Sequence, residues 1–341
     1  MGKFFLGISL SFIILFTINL TFILLNMIFW LTNGLQALLL EMNFIERIYY
    51  STYLKWILLI DGLWLITFLI FMLKRKHYKT DLQLHYLNYI PNKDPKICVI
   101  IPTYNEEENV ANVIKDYAQQ KNVEYVVVVD NNSSDNTVEI AKHCGAITIT
   151  KDSNKGFAHS CVVGLKESLK TDANIIAFTE CDGTFSAYDL EKMIPYLDNC
   201  HIVIGTRQVQ VLTQKGNQNS MFYVWGNFLL AKLIQIKYFS LLHLGIVQLT
   251  DVGCMHRCIR RDALEKIIDQ FTYPGTDHVK ISANSGLFAI FMTSIGIENN
   301  LKIVEVPVTF KKRIGISKTE SDKKTRAIKY GLTFLWYIMS H

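Results

Sequence analysis

Glu180 and Asp182 are the two side chains of this sequence best suited to bind a divalent cation. They follow residues 174–178, an apolar run that predicts a buried strand, so both carboxylates are expected where that strand ends. Carboxylate oxygens are ligands that Mg²⁺ and Mn²⁺ prefer, and a diphosphate would supply the remaining ligands. The alternative is a solvated turn that binds nothing.

Three more clusters of polar residues follow predicted strands. They are residues 102–106 after the strand 97–101, residues 130–135 after the strand 125–129, and Gly205-Thr206-Arg207 after the strand 202–204. Strand-end Asp and Asn are common turn formers, so each cluster alone is weak. Ligands of parallel sheets bind beyond the carboxyl ends of the strands, and the clusters together therefore favour one ligand-binding edge.

A basic segment follows the last predicted strand. Residues 301–310 alternate as a strand does and lead into 311–318, which combines Lys and Arg with a glycine. Such a loop suits phosphate binding. A basic stretch attracted to anionic lipid is the alternative, and the two are compatible.

The elements that must position these residues alternate between strand and helix. Strands are predicted at 97–101, 125–129, 146–150 and 174–178, and helices around 110–117 and from a cap at Ser134 or Asp135 to His143. This order predicts an α/β domain with a mostly parallel sheet and helices on both faces. The sequence contains neither G-x-G-x-x-G after a strand nor G-x-x-x-x-G-K-[ST], which counts against an NAD enzyme and a P-loop NTPase.

The amino-terminal part of the chain is apolar. Of the 341 residues, 50% are hydrophobic and 19% charged, with a net charge of +5, which disfavours a disordered chain or a nucleic-acid binder. Residues 4–31 and 53–73 are long enough to be transmembrane helices, and no small-residue cleavage site follows the first. Asp61 lies inside the second run and is expected either near the headgroups or paired.

Charge around these runs predicts the topology. Basic residues follow the second run directly, so the positive-inside rule places the rest of the chain in the cytoplasm, as a multi-pass membrane protein. We expect an anchor at 1–79, a linker at 80–96, a catalytic domain at 97–320 and a basic, then apolar, interfacial helix at 321–341. The helix predicted at 222–244 fits either the core or the membrane interface.

The seven cysteines are expected to be free thiols. Their number is odd, none forms a C-x-x-C pair, and the predicted compartment is reducing. Cys254, His256 and Cys258 lack a second ligand pair, so a zinc site is disfavoured.

The motifs, taken in order, resemble those of the inverting family 2 glycosyltransferases with a GT-A fold. They are 99–106 (VIIPTYNE), 130–137 (DNNSSDNT), 154–156 (NKG), 180–183 (ECDG), 205–207 (GTR) and 313–318 (RIGISK), and they extend over about two thirds of the chain. Within that family, 250–257 (TDVGCMHR) and 306–310 (VPVTF) are most similar to the dolichyl-phosphate mannose synthase branch. No Q-x-x-R-W occurs, which disfavours the processive polysaccharide synthases.

The resemblance and the chemistry of the residues together predict the following roles. Catalytic roles fall to Asp182, Asp251 and Arg207, and metal binding to Glu180 and Asp182; nucleotide contacts fall to Pro102, Tyr104, Glu106, Asp130, Asn132 and Lys155, and phosphate or acceptor contacts to Arg257, Arg313 and Lys318. The sequence departs from the family in two places. The first acid of the metal motif is Glu180, and Asn131 and Asn132 replace the second acid of the usual Asp-Asp pair.

Residues and resemblance together predict transfer of a sugar from a nucleoside-diphosphate sugar to a polyprenyl phosphate, dolichyl or undecaprenyl, with Mg²⁺ or Mn²⁺. A glycolipid or saccharide hydroxyl is the alternative acceptor and requires a base, for which Asp251 is the candidate; an N-cap or a polar core role is its alternative. A non-catalytic scaffold that binds nucleotide sugar is a third hypothesis. The sequence leaves open UDP against GDP, the sugar, and whether the chain forms a homo-oligomer.

Overall fold

A computed structural model describes residues 2–40, 52–74, 89–215, 221–238, 247–271, 287–315 and 324–340. The chain divides into two compact units, one made of residues 1–76 and 339–341 and the other of residues 77–338.

The first unit contains two long apolar helices, α1 (Gly2–Leu40) and α2 (Thr52–Lys74). Both extend past the runs expected from sequence. Within the described residues, one stretch, Ile14–Thr32, is long and apolar enough to cross a membrane, with a mean hydropathy of 2.1. Asp61 accepts a hydrogen bond from the Asn19 side chain, so the acid inside the second apolar run is paired.

The second unit is built on a seven-stranded sheet. Its strands are β1 (Ile97–Thr103), β2 (Val123–Asp130), β3 (Ile147–Thr150), β4 (Ile175–Phe178), β5 (Ile202–Thr206), β6 (Arg257–Arg260) and β7 (Ile303–Pro307). Their order is β3-β2-β1-β4-β6-β5-β7, and β6 runs antiparallel to both of its neighbours. The expected mostly parallel sheet is confirmed, with β6 as a strand that the sequence did not predict.

Helices cover the sheet. They are α3 (Val110–Ala118), α4 (Thr137–His143), α5 (Phe157–Ser168), α6 (Asp189–Met193), α7 (Met221–Lys237), α8 (Arg261–Ile267), α9 (Leu287–Glu298) and α10 (Lys324–Ser340), with 3₁₀ turns at Ile194–Asp198, Gln210–Leu212 and Ile268–Phe271. Strand β1 is buried along its whole length, as expected of a strand covered on both faces. Residues 287–297 of α9 are all buried, so this apolar helix belongs to the core.

Three local predictions need correction. The strand expected at 301–310 is only Ile303–Pro307, because the residues that follow bend away to bridge other segments at Phe310. The cap of α4 is Asn136; Asp135 still accepts the backbone N–H of Thr137 at 3.1 Å. Helix α7 ends at Lys237, followed by Tyr238 in a turn, and residues 239–244 of the predicted 222–244 lie outside the described residues.

The topology explains why distant residues meet. Strands β1, β2, β4, β5 and β7 all run in the same direction, so their carboxyl ends share one edge of the sheet. Because β6 is antiparallel, it begins at that edge, and the segment that precedes it, which contains Asp251, arrives there as well.

Candidate active site

A cavity of about 400 Å³ opens at this edge of the second unit. Its sheet side is lined by polar and charged residues of the strand ends, including Tyr104, Glu106, Glu180, Asp182, Arg207 and Arg313. Its other side is lined by residues of α7 and α10, including Phe222, Tyr223, Gly226, Leu230, Ile328, Gly331 and Phe334. The cavity therefore joins a charged wall to a largely apolar one.

The acid pair lies at the end of β4, as predicted. Asp182 Oδ1 accepts hydrogen bonds from the backbone N–H of Thr184 at 3.1 Å and from its hydroxyl at 2.6 Å. The turn requires Gly183, whose φ of +71° a side chain would strain. Asp182 Oδ2 is buried and receives no hydrogen bond. One carboxylate oxygen is thus fixed by the turn, and the other faces a cation.

Arg313 supplies that cation here. Its Nη2 atom lies 2.6 Å from Asp182 Oδ2 and 3.8 Å from Glu180 Oε2. The loop that carries Arg313 is attached to the acid turn, since Lys311 N donates to the Thr184 carbonyl at 2.7 Å. Burial and the charge of Asp182 raise the pKa of Glu180, which Arg313 opposes. The pair is therefore a site where a nearby positive charge stabilises two close carboxylates.

These residues fit a divalent metal. Two carboxylates separated by one residue, one of them with a buried oxygen that the turn leaves for a cation and that Arg313 now faces at 2.6 Å, form a hard oxygen donor set. Within the described part of the chain, no three His, Cys, Asp or Glu side chains are grouped to hold a metal. Protein ligands alone would leave the coordination incomplete, so a diphosphate and water would have to complete it.

Arg207 also lines the cavity, and Asp251 holds it there. Arg207 Nε lies 2.7 Å from Asp251 Oδ2 and Nη2 lies 2.8 Å from Oδ1, a bidentate pair. Asp251 additionally accepts the backbone N–H groups of Arg207 and Gly253 at 3.2 and 3.1 Å. The guanidinium also packs on the Phe310 ring, 5.2 Å from its centroid. Asp251 itself does not line the cavity.

Each member of this buried pair keeps the other ionised. Burial alone would raise the pKa of Asp251, but the adjacent guanidinium of Arg207 outweighs this and holds the pKa below its ordinary value of 3.8. Burial likewise disfavours the charged form of Arg207, and Asp251 more than offsets it, so the pKa of Arg207 is raised. Both groups therefore stay ionised, and Asp251 has no carboxylate oxygen left to remove a proton from an acceptor.

The predicted nucleotide side is built by hydrogen bonds between loops. Asp130 is buried and accepts the backbone N–H groups of Asn132 and Ser133 at 3.1 and 3.0 Å, which supports the left-handed φ of +67° at Asn132. Asn131 Nδ2 donates to Asn154 Oδ1 at 2.6 Å. Asn131 and Asn154 line the cavity, whereas Asp130 and Asn132 do not. The motif residues therefore shape the wall without all facing it.

Only some of the site residues predicted from the sequence line the cavity. The cavity is lined by Pro102, Tyr104, Glu106, Glu180, Asp182, Arg207 and Arg313, but not by Asp130, Asn132, Lys155, Asp251 or Arg257. Arg257 is buried, and its guanidinium donates to the Cys254 and Ala289 carbonyls at 2.7 Å and to Thr293 Oγ1 at 2.9 Å. We therefore assign it no phosphate contact. Lys318 lies outside the described residues.

Other cavity residues were not among the predicted ones. Asn131 and Asn154 stand within motifs that the sequence displays, so the motifs could have indicated them. Phe157, Tyr223 and Phe334 carry no such signal, because helix packing brings them to the cavity.

His256 stacks on Phe185 with a centroid distance of 5.2 Å, and its Nδ1 atom lies 3.1 Å from the Phe178 carbonyl oxygen.

Comparison with known proteins decides the family. Residues 98–274, more than half of the chain, match the model of the family described as glycosyl transferase family 2. The chain belongs to this family. As a family 2 glycosyltransferase it is an enzyme, and its mostly parallel sheet is that of the GT-A fold that the motifs predicted.

Relatives of this family 2 glycosyltransferase include two enzymes named for polyprenyl-phosphate chemistry. Over 228 residues it is 27% identical to polyprenol monophosphomannose synthase of Mycolicibacterium smegmatis, covering 64% of this chain and 79% of the relative. Over 252 residues it is 24% identical to undecaprenyl-phosphate mannosyltransferase of Micrococcus luteus, covering 71% of this chain and 96% of the relative.

A solved structure shares the fold. It is glucosyl-3-phosphoglycerate synthase from Mycobacterium tuberculosis in complex with Mn²⁺, uridine diphosphate and phosphoglyceric acid, with a TM-score of 0.50 and 17% sequence identity. The similarity covers 72% of this chain and 78% of that chain, and it supports the fold alone.

Proposed function

We propose that this glycosyltransferase transfers a sugar from a nucleoside-diphosphate sugar to a polyprenyl phosphate, with inversion and with a divalent metal, on the cytoplasmic face of a membrane. The observation that carries the proposal is the cavity itself. An acid pair and two arginines line one wall, and two helices line the other with mainly apolar residues. A lipid phosphate needs both walls, because its head is anionic and its tail is apolar.

On the donor side, Glu180 and Asp182 are the residues that would hold the metal together with the diphosphate. The bound metal would neutralise the charge that develops on the leaving diphosphate. Pro102, Tyr104 and Glu106 line the part of the wall assigned to the nucleotide. Asp130, Asn132 and Lys155 would act from behind this wall, by holding the loops that carry it.

The two arginines differ in what they would do. Arg207 is fixed by Asp251 and would present a guanidinium that does not need to reorganise when charge develops on a phosphate. Arg313 is paired with the acid pair and is 30% exposed. It would turn from the carboxylates to the diphosphate or the acceptor phosphate when these enter, and Lys318 belongs to the same predicted loop.

The acceptor assignment depends on the state of Asp251, the candidate base. A polyprenyl phosphate is already ionised at neutral pH and needs no base, whereas a hydroxyl acceptor does. Asp251 was the candidate base, and its carboxylate is fully used by Arg207 and two backbone N–H groups. The names of the two relatives support the same acceptor class, polyprenyl phosphate.

Attachment to a membrane is part of the proposal. The stretch Ile14–Thr32 supports at least one span. The second apolar run, which the helix Thr52–Lys74 contains, would be the other half of a two-helix anchor. Basic residues directly after it support the cytoplasmic orientation.

The test is a transfer assay with the purified full-length protein in detergent. Labelled UDP- and GDP-sugars are offered one at a time with Mn²⁺ or Mg²⁺ and either dolichyl or undecaprenyl phosphate, or with the corresponding polyprenol. We expect label in the lipid phase with one donor, only with the phosphorylated lipid, and lost in Asp182→Ala. Label transferred to the polyprenol would instead establish a hydroxyl acceptor. Nucleotide-sugar binding without any turnover would favour a scaffold.

A further inference from the structure

Glu305, in the last strand, is a carboxylate that lies behind the candidate active site. It does not line the cavity. Its Oε1 atom accepts the backbone N–H of Asp251 at 2.9 Å, its Oε2 atom accepts the Thr250 hydroxyl at 2.7 Å, and the backbone N–H of Thr250 is shared between Oε2 at 2.8 Å and Oε1 at 3.0 Å. Three donors from two consecutive residues thus converge on one side chain.

The same two residues connect Glu305 to the cavity. The carboxylate of Asp251 binds Arg207 through Nε and Nη2, as described above. The Thr250 hydroxyl lies 2.8 Å from the hydroxyl of Thr206, the residue before Arg207. Both ends of the Thr250-Asp251 turn are therefore attached to the end of β5, where the cavity-lining guanidinium begins.

The sheet gives Glu305 a rigid base. Strand β7 pairs in parallel with β5, and Glu305 stands opposite Ile204, three residues before Arg207. The carboxylate of Glu305 therefore fixes the Thr250-Asp251 turn relative to β5, the strand that Arg207 follows. Hydrogen bonds to a carboxylate are stronger than those between neutral groups, so three donors on one side chain hold the turn firmly.

A second buried arginine, Arg257, is influenced by the charges of Asp251 and Glu305. Arg257 is buried beside Asp251 and Glu305, whose negative charges oppose the lowering of its pKa by burial. Arg207 is paired directly with Asp251, whereas Arg257 is influenced by the charges of Asp251 and Glu305 without a direct bond to either among the described contacts. This arrangement gives Arg257 a role in the core, where the sequence had suggested a phosphate contact.

We propose that Glu305 is a positioning residue, which fixes the orientation of Arg207 in the cavity through Thr250 and Asp251. The proposal rests on the proposed function, because it assumes that Arg207 contacts a phosphate of the donor or the acceptor. It differs from a purely structural role in one respect: its effect on turnover requires Arg207.

A double-mutant cycle tests this dependence. We expect Glu305→Ala to lower kcat about 10- to 100-fold in the wild-type background, the scale of a misplaced catalytic group. In the Arg207→Met background the same change should lower kcat less than about threefold, because the guanidinium it positions is gone. Glu305→Gln should recover only part of the loss, because its Oε1 can still accept both backbone N–H groups but its Nε2 replaces the oxygen closest to the Thr250 N–H.

Controls separate positioning from folding. Asp198 also accepts a backbone N–H group, that of Asn92 at 3.0 Å, but does not line the cavity, so Asp198→Ala should leave kcat near the wild-type value. Should Glu305→Ala not fold, Glu305→Asp replaces it, since the shorter side chain cannot reach all three donors. An equal loss from the Glu305 change in both backgrounds would overturn the proposal, as would no loss at all.

A second readout distinguishes this failure from failure of the proposed function. Affinity for UDP and GDP with Mn²⁺ is measured by calorimetry for the same four proteins, without any acceptor. If the wild type binds nucleotide but labels no lipid, the proposed function falls, and coupling between Glu305 and Arg207 in nucleotide affinity still supports the positioning role. If Arg207→Met weakens nucleotide binding, additive effects of the two changes on affinity would contradict the positioning role; if it does not, the kcat cycle alone decides.

Discussion

Arg313 Nη2 lies 2.6 Å from Asp182 Oδ2, in the place where a cation is needed to balance two carboxylates. The same nitrogen lies 3.8 Å from Glu180 Oε2. The protein therefore brings its own positive charge to the pair, on a loop attached to the acid turn through Ile314 N and the Asp182 carbonyl at 3.1 Å. Any metal that binds there has to compete with this guanidinium.

Removal of that charge should strengthen metal binding. Without nucleotide, Arg313→Gln is expected to raise the affinity for Mn²⁺ about threefold to tenfold, since an adjacent cation no longer stabilises the carboxylates. Titration of Mn²⁺ followed by electron paramagnetic resonance measures the change. Arg313→Lys keeps the charge and serves as the control, with an affinity close to that of the wild type. Weaker or unaltered binding in Arg313→Gln would count against the competition.

Asp251 should behave as an ion-pair partner and not as a base. Loss of one member of a buried pair is costly, so Asp251→Asn should lower the free energy of unfolding by about 3–5 kcal/mol. Denaturant unfolding measures this value. Because the pKa of Asp251 is depressed below 3.8, the pair stabilises the fold above that pH and loses its contribution only below it.

The pH profile of the same variant separates the two roles. Residual kcat of Asp251→Asn should keep the wild-type shape between about pH 5 and 9, since the ordinary pKa of an Asp lies well below this range. A general base works best with a pKa near the operating pH, so in that role Asp251 would need a raised pKa and would give the wild type an acidic limb within this range that the variant lacks. Disappearance of such a limb in Asp251→Asn would restore the hydroxyl-acceptor hypothesis.

Gly331 in α10 should control access of the lipid. It lines the cavity, and a Cβ atom there would meet no atom within 4 Å. Gly331→Leu should therefore raise KM for polyprenyl phosphate while leaving nucleotide affinity unchanged, because the side chain fills space on the apolar wall. Gly331→Ala is the matched control and should stabilise the helix by about 0.5–1 kcal/mol. Equal losses of donor and acceptor binding would refute a lipid-facing wall.

Lys151 should make stability depend on pH in the alkaline range. Burial lowers its pKa to about 8, and its ammonium group donates to Ser160 Oγ at 2.7 Å. A Lys with a depressed pKa releases its proton on folding, so stability rises with pH between about 8 and its ordinary value of 10.5. Denaturant unfolding at both ends of this window should show a smaller rise for Lys151→Met. An equal rise of the free energy of unfolding in the wild type and in Lys151→Met would show that Lys151 is not its source.

Sequence patterns were sufficient to place a site residue where that residue directly follows a predicted buried strand. Glu180, Asp182 and Arg207 follow buried strands, and a parallel sheet brings such ends together, so their common edge could be predicted. Arg257 could not be placed in the same way, because it opens an antiparallel strand whose four residues give too short a pattern. Motif position suggested a phosphate contact, and the strand turns the side chain into the core.

The positions of the other cavity residues and the role of Asp251 depend on tertiary packing, which the sequence patterns do not show. Phe334 and Gly331 lie in a helix whose sequence predicts an apolar face but not what that face covers. The function of Asp251 likewise depended on a contact 44 residues away, since only the bidentate bond to Arg207 distinguishes an ion-pair partner from a base. Such pairings are set by the sheet order and leave no local signal.

Analysis of the lipid product tests the proposed reaction most directly. Wild-type protein is incubated with the active donor, Mn²⁺ and undecaprenyl phosphate, and the lipid is examined by mass spectrometry and ³¹P nuclear magnetic resonance. We expect the mass of the lipid phosphate plus one sugar and a phosphomonoester signal converted to a phosphodiester, both absent with Asp182→Ala. A sugar-bearing lipid that keeps its phosphomonoester, or donor consumption without any change in the lipid, would contradict transfer to the phosphate.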